Sequence, residues 1–141
     1  MRLWDPIRSI WVAATPEEKV RQRLLHRMIS EWGFPKSLIG VEKDLASLPS
    51  RKNLGDPNRR IDLICYAPLK EGTLPLLLVE CKAVEINEAA ERQLLGYNAL
   101  VGAFFIALAN ETEIKTIWVE QGRVCTAPFL PPYSQLIQSL C

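Results

Sequence analysis

The chain has 141 residues, 48% of them hydrophobic, which is enough for a single domain with a real core. Its formal charge is only +1, so no global field marks a nucleic-acid or membrane-surface partner, although a local basic patch would suffice for backbone contact. No apolar run is long enough to cross a membrane, and Asp5, Pro6 and Arg8 interrupt the apolar N-terminus where a signal peptide would need continuity.

The first element is an arm, residues 1–14, whose Trp4 and Trp11 must pack somewhere, against the core or across a dimer contact. A helix follows. Thr15 can cap it, Pro16 suits its first turn, and Glu18 sits where a capping box places an acid. Val20, Leu24, Met28 and Trp32 form a helical stripe that Gly33 ends. Residues 38–45 make a weak strand, and 49–58, with Pro49, Gly55 and Pro57, a loop. Residues 61–66 and 76–82 read as strands of an antiparallel hairpin turning near Gly72. Their continuous hydrophobicity predicts a sheet covered on both faces. Asn87 can cap a second helix reaching Val101.

Residues 104–108 (Phe-Phe-Ile-Ala-Leu) predict a buried strand, and 114–120 with 123–126 a hairpin around Gln121-Gly122. A short helix after Pro131 and Pro132 buries Tyr133, Leu136, Ile137 and Leu140. The expected fold is mixed α/β, of the α+β kind: one domain over 1–141, with a central mixed sheet flanked by helices across 15–127 and a closing helix within 128–141. The four cysteines, Cys65, Cys81, Cys125 and Cys141, lie far apart with no C-x-x-C pair. They read as reduced thiols of a cytoplasmic protein.

One group of charges stands out. Glu80 and Lys82 close the apolar run 76–79, and strand alternation points both to the same face while Cys81 points to the other. Charges at the end of a buried strand are costly unless compensated. Asp62, opening the preceding apolar run, can complete the group. Two carboxylates on adjacent strands suit a hard divalent cation, which activates water and neutralises charge on a phosphodiester. The Cys81 backbone carbonyl offers a third oxygen, and Lys82 stands ready to orient water or stabilise developing charge.

Asp62 followed by Glu80-x-Lys82 resembles the PD-(D/E)xK nuclease superfamily. Within it, the chain is most similar to the N-terminal nuclease domain of type I restriction enzyme R subunits. The helix Thr15-Pro16-Glu17-Glu18-Lys19-Val20-Arg21-Gln22, the stretch Arg59-Arg60-Ile61-Asp62-Leu63 and Gln93 with Tyr97 in Gln-Leu-Leu-Gly-Tyr carry that likeness. It covers about residues 15–110. The resemblance implies a restriction-endonuclease-like core and Mg2+-dependent hydrolysis of DNA, with Mn2+ as a substitute. It implies catalysis by Asp62, Glu80 and Lys82, and metal ligation by Asp62, Glu80 and the Cys81 carbonyl, with Glu18 a further ligand by analogy. Gln93, Tyr97, Arg59 and Arg60 would contact substrate.

Ile61 stands where the superfamily often has proline. The length leaves no room for a translocase, so a helicase or methylase subunit would be a separate chain, and a double-strand break would call for a homodimer or repeated binding.

Plainer readings remain open beside these. The three site charges could be a salt-bridged cluster on a catalytically silent fold that only binds DNA or protein. Glu18 could serve as a helix cap, and Gln93 with Tyr97 as an ordinary helical polar pair. Arg51, Lys52, Arg59 and Arg60 fit a phosphate track or a solvated loop equally. Glu42 and Asp44 read as surface acids, and His26 as a helix surface residue.

Overall fold

The computed structural model describes residues 1–44 and 60–140. Arg59, Arg51, Lys52 and the 49–58 loop lie outside the described residues. The N-terminal arm is a β-hairpin of β1 (Arg2–Asp5) and β2 (Ile10–Ala13), paired antiparallel with Trp4 opposite Trp11. Helix α1 (Pro16–Ser30) follows. Then come a single 3-10 turn (Lys36–Leu38), β3 (Ile39–Asp44), β4 (Arg60–Pro68) and β5 (Thr73–Cys81). Helix α2 (Glu88–Val101) leads to β6 (Phe105–Ala109), β7 (Ile114–Glu120) and β8 (Arg123–Ala127), and α3 (Tyr133–Gln138) closes the order.

The six strands β3 to β8 form one sheet in sequential order. Every pairing is antiparallel except β5 with β6, which the α2 crossover makes parallel. The sheet is covered on both faces, as its strand composition requires. One face packs Leu63, Cys65, Leu77, Val79 and Ala107 against Val20, Leu24, Leu25 and Met28 of α1 and Leu136 of α3. The other packs Ile64, Leu78, Ile106 and Ile117 against Leu94 and Val101 of α2.

Local chemistry sets most element ends. Thr15 Oγ accepts the Glu18 amide at 3.2 Å, and Asn87 Oδ1 accepts that of Ala90 at 2.9 Å. Gly33 at φ 70° lets the Phe34 amide return to Met28 O, and Gly102 at φ 78° ends α2. Gln121 and Gly122, at φ 51° and 76°, make the tight turn between β7 and β8. Pro75 tolerates its strand because it sits at the bulge between Cys65 and Tyr66.

Four expectations need correction. The arm is ordered by strand pairing, not merely packed. The central hairpin is longer than the apolar runs, because backbone pairing continues through Pro68 and Thr73 regardless of side-chain polarity. Lys82 lies one residue past β5, although its amide still bonds Ala109 O at 2.8 Å. Phe104 precedes β6 and is exposed, since the chain leaving Gly102 joins the sheet only at Phe105.

Candidate active site

Strands β4 and β5 fork where the site charges lie. Their pairing starts at Leu63↔Val79, although β4 extends back to Arg60 and β5 on to Cys81. Beyond that point each strand follows its outer neighbour: Ile61 pairs Lys43 of β3, and Cys81 pairs Ala109 of β6. Asp62 sits in the fork, and its Oδ2 accepts the Cys81 amide at 2.7 Å. A side chain thus replaces the missing ladder bond and ties the two strands together.

Glu80 reaches the same place. Its carboxyl hydrogen-bonds Asp62, and Lys82 Nζ lies 3.7 Å from Glu80 Oε1. Burial, then the negative charge of Asp62, pushes the Glu80 carboxyl up to about 8, and Lys82 offsets this only in part. Two carboxyls in contact and largely shielded from water ask for a proton or a cation between them. Among the described residues no group of three His, Cys, Asp or Glu side chains converges as a metal cage. Two carboxylates completed by backbone oxygen and water are still a donor set that Mg2+ accepts. The buried Cys81 thiol is pushed well above its usual range, chiefly by burial, and stays neutral.

The expected set is supplemented by a residue that the sequence reading passed over. Arg21 of α1 is buried, and its Nη2 donates to Asp62 Oδ1 at 3.0 Å. Its Nη1 lies 3.0 Å from Glu42 and 3.2 Å from Glu18. Arg8 adds a second cation, 2.9 Å from Glu18, 3.1 Å from Glu42 and 2.7 Å from Asp5. Burial opposes the charge on Arg21, and Asp62, Glu18 and Glu42 more than restore it. Glu18 therefore spends its carboxylate on Arg8, Arg21 and Gln22. It does not return to the Thr15 amide, which bonds Ala13 O. Glu42 is no simple surface acid: it bridges both arginines and lies 3.8 Å from exposed Arg60. A signal for Arg21 existed. Glu18, Arg21, Gln22 and Leu25 share one helical arc, so two charges and an amide fall within the buried stripe.

Gln93 and Tyr97 come together on α2, with Gln93 Nε2 donating to Tyr97 Oη at 3.1 Å. Gln93 and Lys82 line one groove of about 530 Å³, along with Val84, Asn87 and Ala90. Asn110 steadies that wall by donating to Val84 O at 3.2 Å. A buried arginine, a carboxyl pair and a lysine thus gather at one fork, and the lysine shares a groove with Gln93 of α2. Compared with protein families, residues 16–130 match the one described as "Type I restriction enzyme R protein N terminus". The chain belongs to this family. The match of this R protein N-terminal domain runs from the first residue of α1 to Leu130, so it takes in the whole fork and leaves out the N-terminal hairpin and α3. No curated protein and no solved structure matches the chain. Among the described residues no helix is long and apolar enough to cross a membrane.

Proposed function

We propose that this domain is a PD-(D/E)xK nuclease that hydrolyses phosphodiester bonds of DNA with Mg2+, for which Mn2+ can substitute. The observation that carries this reading is the contact of Asp62 with Glu80 at the β4–β5 fork, with Lys82 Nζ 3.7 Å from Glu80. Asp62, Glu80 and the Cys81 carbonyl would hold the cation, which when bound supplies Lewis acidity toward phosphate and water. The chain's own groups do the rest. Asp62 is oriented by the Cys81 amide and Arg21. Lys82 positions the attacking water and balances charge that develops on the phosphate. Gln93 and Tyr97 steady the substrate in the groove that Gln93 shares with Lys82. Arg60, exposed at the start of β4, offers a phosphate contact.

The family's description names an R protein of a restriction enzyme. We therefore propose that the domain works on DNA beside separate subunits of such an assembly.

The test is nicking of supercoiled plasmid in Mg2+ or Mn2+. Wild type is expected to relax the plasmid, and Lys82→Ala to slow this by roughly two orders of magnitude. Equal trace rates for the two would identify contamination and sink the reading.

A second reading has its own support. Arg21 already provides a cation to Asp62, which is what a nuclease fold retained only for binding would need. Mn2+ titration separates the two: no uptake with DNA binding intact would favour the silent module.

A further inference from the structure

The N-terminal hairpin presents Trp4 and Trp11 edge to face, with ring centroids 5.3 Å apart. Trp4 is 47% exposed and Trp11 61%. Two such large apolar side chains left in water mark an interaction surface. They are not on a loose arm. Asp5, at the end of β1, is fully buried and accepts the Ile7 and Arg8 amides, Arg8 Nε and Gln22 Nε2, all between 2.7 and 2.8 Å. A buried polar anchor holds the exposed rings in place.

The neighbouring side of α1 is basic. Lys19, Arg23, His26 and Arg27 are all exposed there. With Trp4 they line a groove of about 470 Å³. Lys19 and Arg23 also line a second hollow of about 240 Å³ that reaches Ala83, the residue after Lys82. The cations thus run from Trp4 toward Ala83, the neighbour of Lys82 in the chain. Three acids adjoin them: Glu111 in the second hollow, Glu113, which with Glu111 shares a further hollow with Arg23 and Arg27, and Glu31, which pairs with Arg27 at 2.8 Å.

We propose that this surface binds single-stranded DNA, stacking a base on the Trp4–Trp11 pair and leading the backbone along Lys19 and Arg23 toward Lys82. It rests on the nuclease reading only for where the strand leads. Spaced cations beside exposed aromatic faces match the alternation of phosphates and unpaired bases. Duplex DNA keeps its bases stacked and offers the rings nothing. A second copy of this chain would bring two Lys19–Arg23 stripes together and repel.

The experiment is fluorescence anisotropy of a labelled oligothymidylate with the full chain in EDTA, so that binding is read without cleavage. Trp11→Ala removes an exposed ring and should weaken binding roughly tenfold. The double variant Lys19→Ala with Arg23→Ala should lower the dependence of log affinity on log salt by about 1.4. Circular dichroism checks that both variants are folded. Unchanged affinity in both variants overturns the proposal. So does duplex binding as tight as that of the single strand, or a Trp11→Ala variant that dissolves a dimer while binding DNA normally. Weakened variants in a chain that never nicks plasmid support this surface and sink only the nuclease reading.

Discussion

Arg21 Nη2 lies 3.0 Å from Asp62 Oδ1, so a guanidinium from the first helix is the direct counter-ion of the acid at the strand fork. The same guanidinium serves Glu18 and Glu42 through Nη1. Three carboxylates from α1, β3 and β4 therefore share one buried side chain, and Glu18 and Glu42 have Arg8 as well. Arg21→Met should destabilise the domain by about 3–5 kcal/mol, because removing one partner of a buried pair leaves its charges uncompensated. Urea denaturation measures this. A midpoint within error of wild type would show that the network adds nothing. Arg21→Lys should recover only part of the loss, since an ammonium lacks the planar fork that reaches several carboxylates.

The Glu80 carboxyl, raised to about 8, predicts a pH-dependent stability. Its folded pKa lies above its unfolded one, so the folded state favours the protonated form. That contribution is fully present below the ordinary glutamate range and is lost as pH rises toward about 8. Thermal unfolding in EDTA from pH 5 to 9 should show the decline, and Glu80→Gln should flatten it. A wild-type profile as flat as that of Glu80→Gln would contradict the placement of Glu80 against Asp62.

Proton and cation compete for the same pair of carboxyls. Mn2+ affinity, measured by calorimetry, should rise with pH up to about 8 and level off above, with proton release on binding. Asp62→Asn should weaken Mn2+ binding at every pH. Binding without proton release in buffers of different ionisation enthalpy would place the ion elsewhere.

Asp5 anchors the N-terminal hairpin. Burial pushes its carboxyl up, but the Arg8 amide, the Arg8 and Gln22 side chains and the Ile7 amide outweigh this and hold it low. A lowered pKa contributes stability above the ordinary aspartate range and loses it as pH falls through the folded value. Asp5→Ala should cost about 2–4 kcal/mol, because it orphans buried donors. It should also shift the emission of Trp4 and Trp11. Unaltered emission and unaltered urea midpoint together would show that the hairpin holds without its anchor.

Gln93 is exposed and, among the described residues, bonds only within its own helix turn. Gln93→Ala should leave thermal stability within about 0.5 kcal/mol. Plasmid nicking should fall severalfold if the groove shared with Lys82 carries substrate. A variant that unfolds early but cleaves normally would reverse both parts.

Much of the architecture was legible along the chain. Thr15 and Asn87 are caps because a side-chain oxygen three residues ahead of an amide is a local geometry. Leu76 to Val79 and Phe105 to Leu108 announce a sheet buried on both faces, and the helix between them permits a parallel pair. Asp62, Glu80 and Lys82 were legible as a group because apolar runs make charges conspicuous, and Gln93 with Tyr97 because four residues make one helical turn. What spacing does not carry is which strand ends separate, and which distant cations fill the gap.

Sequence alone thus determined most element types, the two-sided sheet and the grouping of Asp62, Glu80 and Lys82 at the strand ends, all properties of neighbouring residues and periodicity. Tertiary structure alone decided that β4 and β5 part after Leu63 and Val79, that the Cys81 amide bonds Asp62, and that Arg21 and Arg8 neutralise Glu18, Glu42, Asp62 and Asp5. It also decided that Glu80 meets Asp62 in a shielded place, where burial and the neighbouring charge raise its carboxyl above the usual range. The physical reason is that burial and charge pairing depend on distances through space. Arg21 and Asp62 are 41 positions apart in the chain, and only the packing of α1 on the sheet brings them to 3.0 Å.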